Sequence, residues 1–220
     1  MIKISKRLET IASLVPINSS VIDVGCDHGL LDIYLYQKNI CKKIIASDIN
    51  INALNNAKEN IKKYKLSKYI ETRLGSGLDA LFSNDKIDTI IISGMGAHTI
   101  IDILKNNSNK LTEIKTIIIQ SNTKLELLRK NITKLDYYIS DEELLEDNQK
   151  IYTIIKFQKG TKKYNKKELY FGPILLKKNT KLFQEINNKD IKKLKLILKK
   201  MPIYKFRDRY NIKKRILLYK

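Results

Sequence analysis

Five short runs of β-branched and apolar residues, most of them leading through glycine or a small polar residue into a stretch of helical period, constrain this 220-residue chain more than any other feature. Strands are expected over residues 20–24, 43–47, 69–74, 88–92 and 116–120, and helices over 28–38, 51–64, 99–104 and 124–135. In the second of these helices Leu54, Ala57 and Ile61 recur at spacings of three and four. Strand–helix alternation predicts a parallel sheet covered on both faces. Two further strands, 137–144 and 150–158, flank a polar turn over 146–149 and form an antiparallel pair. The expected fold class is therefore α/β, with a seven-stranded mixed sheet. An amphipathic helix over 3–14, with Ile4, Leu8 and Ile11 on one face, precedes it.

Charge divides the chain. Residues 161–220 hold 20 Lys/Arg against 4 Asp/Glu, whereas residues 1–160 hold 23 against 19. The boundary is placed at Gly160, giving a nearly balanced domain over 1–160 and a cationic module over 161–220. A net charge of +20 implies a polyanionic partner, nucleic acid first and anionic membrane second. In the module, Leu182, Ile186, Ile191, Leu194, Leu198 and Met201 recur mostly at spacings of three or four, which predicts a helical hairpin or short coiled coil. Asn187-Asn188 and Asp190 mark the expected break. Lys192, Lys193, Lys199, Lys200, Arg207 and Arg209 are the candidate phosphate contacts, and Tyr204, Phe206 and Tyr210 could stack bases. Such contacts position an RNA without reading its sequence. The alternative is a solvated helical pair of biased composition.

No run of 18 apolar residues exists, so a membrane span is not expected. The first ten residues lack an apolar core of signal-peptide length, and Cys26 and Cys41 build no disulfide framework; a cytoplasmic location and a monomer are expected.

In open α/β sheets ligands bind beyond the carboxyl ends of the strands. The first such end reads Asp23-Val24-Gly25-Cys26-Asp27-His28-Gly29. A dinucleotide site would want G-x-G-x-x-G with open amides for a pyrophosphate. Asp27 stands at the middle glycine; its carboxylate would repel a pyrophosphate and suit a cation. S-adenosylmethionine carries a sulfonium, an ammonium and no phosphate, so the loop favours that cofactor over NAD. A tight turn without a ligand is the alternative reading of this loop alone. The second strand leads to Asp48-Ile49, where a carboxylate can accept from ribose hydroxyls. The third ends at Gly75-Ser76-Gly77-Leu78, suited to clasping an adenine ring, and the fourth at Gly94-Met95-Gly96.

These elements resemble the S-adenosylmethionine-dependent methyltransferases with the Rossmann-like fold. The resemblance is closer to the bacterial tRNA adenine-N1 methyltransferases that act at position 22 in the D-arm. It rests on Ser5-Lys6-Arg7-Leu8, Asp23-x-Gly25-x-Asp27-His28, Gly75-x-Gly77-Leu78, Gly94-Met95-Gly96 and Gln120-x-Asn122, and on a Gly172-Pro173 pair opening a C-terminal helical module. Three positions depart from the family's pattern: Ser76 for Asp, Ser121 for Pro, and Ala97 for a further Gly. The resemblance implies tRNA as substrate, S-adenosylmethionine as cofactor and a part for Lys6 and Arg7 in RNA or active-site contacts. Other methyltransferases of tRNA or rRNA, and a non-catalytic RNA-binding protein, are the rival readings.

Methyl transfer from a sulfonium is an in-line displacement governed by orientation and electrostatics. Adenine N1 has a lone pair near neutral pH, so no strong base is required. His28 and His98 form neither a nucleophilic triad nor a metal cluster, and no metal is expected. The methylated base is cationic; Asp27, Gln120 and Asn122 are the candidate catalytic oxygens, and Met95 could touch the face of the base.

Overall fold

A computed structural model describes residues 1–219. It divides into two compact units, Met1–Lys163 and Tyr164–Lys220. In the first unit the elements run α1 (Lys6–Leu14), β1 (Ser19–Val24), α2 (Leu30–Gln37), β2 (Cys41–Asp48), α3 (Ile51–Lys63), β3 (Ile70–Leu74), β4 (Thr89–Met95), α4 (Ala97–Asn106), β5 (Thr116–Ser121), α5 (Leu125–Ile132), β6 (Tyr137–Asp147) and β7 (Lys150–Lys159). One seven-stranded sheet has the order β3-β2-β1-β4-β5-β7-β6. The first five strands pair in parallel, and β7 runs antiparallel between β5 and β6.

The isoleucine runs explain the centre of this sheet. β1 and β5 are buried at every position, as are Thr89, Ile90, Ile91 and Ile92 of β4. Strands covered on both faces read as continuous apolar runs, because neither face meets water. A buried ion pair ties α5 to β6: Arg129 Nε donates to Glu142 Oε1 at 2.7 Å, and both side chains are almost wholly enclosed. Such a pair gives little net stability, yet removing one partner strands the other charge.

Several boundaries differ from expectation. The first helix after β1 starts at Leu30, not at 28, because Gly29 adopts φ +65 and lies outside the helical region. The helix expected over 3–14 begins at Lys6, where the Ser5 hydroxyl accepts from the Leu8 amide at 3.3 Å. β4 extends to Met95, so Gly94 closes a strand instead of opening a turn, and the register with β5 shifts between Ser93 and Met95. The polar turn narrows to Asn148-Gln149, both at positive φ, as a two-residue hairpin of this hand demands.

The second unit is helical: α6 (Lys166–Phe171), α7 (Pro173–Lys178), α8 (Lys181–Lys200) and α9 (Phe206–Leu217). Asn165 and Glu168 form a reciprocal capping box at the start of α6. Gly172, at φ +99, separates α6 from Pro173, the first residue of α7. Phe171, Leu175, Phe183 and Leu194 are its buried apolar residues, with Tyr170 and Tyr219 edge-on to Phe171. The break expected over 187–190 does not occur. α8 runs through Asn187-Asn188 and Asp190 without interruption, and the reversal comes after Met201, at Pro202. Asn and Asp cost an α-helix only about half a kcal/mol each, whereas proline costs roughly 3.

Candidate active site

A cavity of about 670 Å³ opens at the carboxyl ends of β1, β2 and β4. Its wall is built from the loops after β1 and β4, the end of β2, and the segment from Lys3 to Leu8. Of the candidates read from the sequence, it brings together Asp23, Gly25, Cys26, Asp27, His28, Asp48, Gly94, Met95 and Arg7.

Each is held for a physical reason. Gly25 stands at φ +80, a backbone conformation that favours glycine, and a Cβ there would lie 2.5 Å from Met95 Cε, so the first and fourth loops meet at this point. Asp48 spans two elements: its Oδ2 accepts from the Asp27 amide at 3.1 Å and its Oδ1 from the Asn50 amide at 2.8 Å. Asn50 in turn caps α3 through Oδ1. Asp27, at φ +51, is largely exposed at the mouth, with His28 Nε2 3.7 Å from its carboxylate.

Asp23 differs from these. It is buried to 3% exposure, yet it lines the cavity, and its Oδ1 has no hydrogen-bond partner. Burial, with Asp48 nearby, pushes its pKa up from 3.8 to about 7, against the opposing pull of Arg7. Behind it lies Asp32 of α2, fully buried and with neither carboxyl oxygen hydrogen-bonded. Burial and the neighbouring Asp23 push its pKa well above the ordinary carboxylate value. Burial among Asp32, Asp23 and Asp48 likewise drives the Cys26 thiol upward, which leaves it protonated and no nucleophile. Cys41 is pushed up to about 12.

Gln120 and Asn122 are placed otherwise than as open catalytic oxygens. Gln120 is buried, and its Oε1 accepts from the Gly94 amide at 3.1 Å and from Arg7 Nη1 at 3.0 Å. Its Nε2 donates to Asn122 Oδ1 at 3.0 Å, and Asn122 Nδ2 donates to the Gly94 carbonyl at 2.7 Å. The two amides thus hold the two peptide groups that flank the Gly94 Cα. Arg7, expected in RNA or active-site contacts, lines the cavity half-buried, with its guanidinium over the Tyr152 ring, 5.6 Å from the centroid.

The remaining candidates lie outside the cavity wall. Gly29 permits close approach to Ala57 of α3. The Gly75 amide donates to the Asp48 carbonyl, and a side chain there would strike Ala80. Gly77, at φ +57, packs on Ile103; Leu78 is fully buried; Ser76 and Ile49 are exposed; Gly96 caps α4. Lys6 is exposed on α1. The wall residues missed by the sequence reading are Lys3, Ile4, Ser5 and Leu8, together with Leu30, Leu31, Asn50, Ala53 and Ser93. The amphipathic stretch at the N-terminus was visible, but which loop it would cover was not. Among the described residues no cluster of His, Cys, Asp and Glu could hold a metal ion, and no helix is long and apolar enough to cross a membrane.

A parallel sheet that reverses strand order between β1 and β4, an antiparallel seventh strand, carboxylates in the walls at the ends of β1 and β2, and no pyrophosphate loop together define a Rossmann-like protein of the methyltransferase type. The model of the tRNA (adenine(22)-N(1))-methyltransferase family, TrmK, matches residues 21–220, and the chain belongs to that family. The Bacillus subtilis tRNA (adenine(22)-N(1))-methyltransferase is 32% identical over 159 residues, which span 72% of this chain and 66% of that enzyme. A Streptococcus pneumoniae structure, of a candidate tRNA (m1A22) methyltransferase with S-adenosyl-L-methionine, superposes with a TM-score of 0.91 at 30% identity, covering 99% of this chain and 98% of the other. Mycoplasma capricolum TrmK with S-adenosyl-homocysteine gives 0.86 at 30% identity, covering 98% and 96%.

A buried carboxyl with a raised pKa favours folding below its unfolded pKa of 3.8, and that contribution is lost as pH climbs toward the folded value. Asp32→Asn removes this loss. The variant is expected to melt roughly 2–6 °C above the parent at pH 8, with the gap narrowing toward pH 5, in thermal unfolding followed by circular dichroism. A gap that is absent or widens on acidification would contradict the protonated assignment.

Proposed function

We propose that this chain methylates N1 of the adenine at position 22, in the D-arm of tRNA, using S-adenosylmethionine. The observation that carries this reading is the Asp23 carboxyl: buried, facing the cavity and lacking a partner on Oδ1. A buried acceptor left open costs about 1–3 kcal/mol, so it fits a ligand that brings a cation. The family match supplies the reaction, and the acidic wall fits a donor that carries positive charge and no phosphate.

Bound in this cavity, S-adenosylmethionine would supply an electrophilic methyl group on a positively charged sulfur. Asp23 would hold its ammonium and Asp48 its ribose hydroxyls. Gly25 leaves the space that a side chain would close. The chain need not remove a proton from adenine N1, which agrees with the protonated Cys26 and with a His28 that lies beside Asp27 at the mouth. As the base becomes cationic, the exposed Asp27 carboxylate offers a nearby negative charge. Gln120 and Asn122 contribute differently, by fixing the Gly94 peptide beside Met95. N1 of adenine is enclosed in a helical stack, so the nucleotide has to leave it.

The second unit would grip the RNA, and we place the functional division of the chain at the junction of the two units. Lys192, Lys193, Lys199, Lys200 and Arg207 are exposed cations suited to phosphates. Arg209 is placed otherwise: its Nη1 donates to the carbonyls of Leu198 and Met201, capping the end of α8. Beyond that cap Ile203, Tyr204 and Phe206 are more than 70% exposed, a surface suited to unpaired bases. A tRNA-modifying enzyme of this kind would work in the cytoplasm.

Unmodified tRNA incubated with the purified protein and tritiated S-adenosylmethionine should carry label at nucleotide 22 alone, and a transcript with guanine in place of adenine at that nucleotide should carry none. Label elsewhere, or in ribosomal RNA, would overturn the assignment. Asp48→Ala is expected to weaken S-adenosylmethionine binding about 100-fold by calorimetry, the loss of one to two charged hydrogen bonds, and unchanged affinity would refute its placement. Tyr204→Ala with Phe206→Ala should lower tRNA affinity about 10-fold or more at an unaltered salt slope. Replacing Lys199, Lys200 and Arg207 by Ala should flatten that slope by about 2. The opposite pattern would reverse the roles assigned to the two groups.

A further inference from the structure

Arg7 sits at an unusual crossing. Its backbone amide donates to Asp147 Oδ2 at the end of β6, and its guanidinium stacks on Tyr152 of β7. From there Nη1 reaches Gln120 Oε1 at 3.0 Å, and the guanidinium lines the cavity close enough to act on Asp23. A solvated helix cation would have none of these contacts.

The contact with Gln120 has a consequence for the loop after β4. An amide side chain can present either its oxygen or its NH2, and the two shapes are nearly the same. Arg7 has only donors, so it admits the oxygen alone. With Oε1 fixed toward Arg7 and the Gly94 amide, Nε2 must point at Asn122 Oδ1, and Asn122 Nδ2 then meets the Gly94 carbonyl. The glycine so held stands at φ +80, with open space where a side chain would be. Its neighbours Ser93 and Met95 pair with Gln120 and Ser121 of β5, and the Met95 carbonyl accepts from the Asn122 amide at 3.0 Å. Met95, the next residue, lines the cavity and touches the glycine of the first loop.

We propose that Arg7 is a positioning residue for methyl transfer: it fixes the amide orientation of Gln120, and through Gln120 and Asn122 the Gly94-Met95 edge against which the acceptor base is aligned, while its charge shares the cavity wall with Asp23 on the cofactor side. One side chain on the N-terminal helix thereby joins the two halves of the site. This rests on the methyltransferase reading above and gives a specific role to a residue for which the resemblance implies only RNA or active-site contacts.

The test separates alignment from RNA affinity. Arg7→Met should lower kcat about 10- to 100-fold, the scale of a misaligned reacting pair, with KM for tRNA within about twofold of the parent. Gln120→Leu should cause a similar loss, and the double variant should be no worse than the poorer single variant, because both act through one chain of contacts. Additive losses would overturn the proposal. So would an unchanged kcat with a raised KM for tRNA and a flatter salt dependence, the signature of a phosphate contact.

A second readout needs no turnover. Asp23 faces Arg7, Asp48 and Asp32, with the Cys26 thiol beside them. The cavity wall also carries Lys3, Asp27 and His28. Loss of the Arg7 charge should move the acid midpoint of S-adenosylhomocysteine binding, followed by calorimetry, to higher pH. Arg7→Lys keeps the charge and should restore that midpoint, with kcat recovering only in part. A midpoint unmoved in Arg7→Met would contradict the part given to its charge. Should the parent protein fail to methylate tRNA at all, the functional reading falls with the proposal; a parent that methylates position 22 while its variants show the phosphate pattern defeats the proposal alone.

Discussion

A carboxyl group whose Oδ1 has no hydrogen-bond partner, held out of water at the end of β1, is the constraint around which this site is arranged. Asp23 is buried by the sheet that carries it, repelled by Asp48 and Asp32, and relieved by the Arg7 guanidinium. Such a group is stable either as a neutral acid or as an anion beside a cation. With a pKa near 7 it stands between these states, and a positively charged ligand would tip it to the anion. The rest of the cavity follows the same logic. The amides of Asp27 and Asn50 hold Asp48 in place, and the loop after β1 carries the Asp27 carboxylate where a phosphate-binding fold has glycine.

The two units divide the electrostatic work. The first concentrates acidic groups at the carboxyl ends of the inner strands β1 and β2 within a nearly balanced sequence. The second carries the excess of Lys and Arg around a small aromatic core in which Tyr170, Phe171 and Tyr219 meet edge to face. Part of its basic character is structural: Arg209 caps α8 and Arg215 donates to the Tyr170 hydroxyl. The cations left to solvent are lysines and Arg207, suited to holding a phosphate backbone and not to reading bases.

Much of the fold was legible because β4 and β5 carry isoleucine runs with no polar alternation, the pattern of strands buried on both faces. Strand–helix alternation marked the other parallel strands, and the polar turn after residue 145 marked the final hairpin. Local signals failed where tertiary packing decides. Asn187-Asn188 looked like a break, but weak propensities yield to the packing of a 20-residue helix, and proline set the true end. Asp32 lies between Leu31 and Ile33 in a short helix, and nothing local shows that α2 is enclosed on the side where it points. Gln120 and Asn122 were recognised as belonging to the site, yet their partners come from β4 and α1, far away in sequence. By charge alone Arg7 reads as a solvated helix cation, and the family resemblance points it to RNA or active-site contacts. Its true surroundings depend on where α1 lands against β6 and β7.

The measurement that bears most directly on this account is calorimetric titration of the parent protein with S-adenosylmethionine and, separately, with NAD between pH 5.5 and 7.5. If an ionising Asp23 receives the ligand's cation, S-adenosylmethionine affinity rises with pH across this interval and NAD fails to compete. Affinity that is flat across the interval, or displacement of S-adenosylmethionine by NAD, would contradict it.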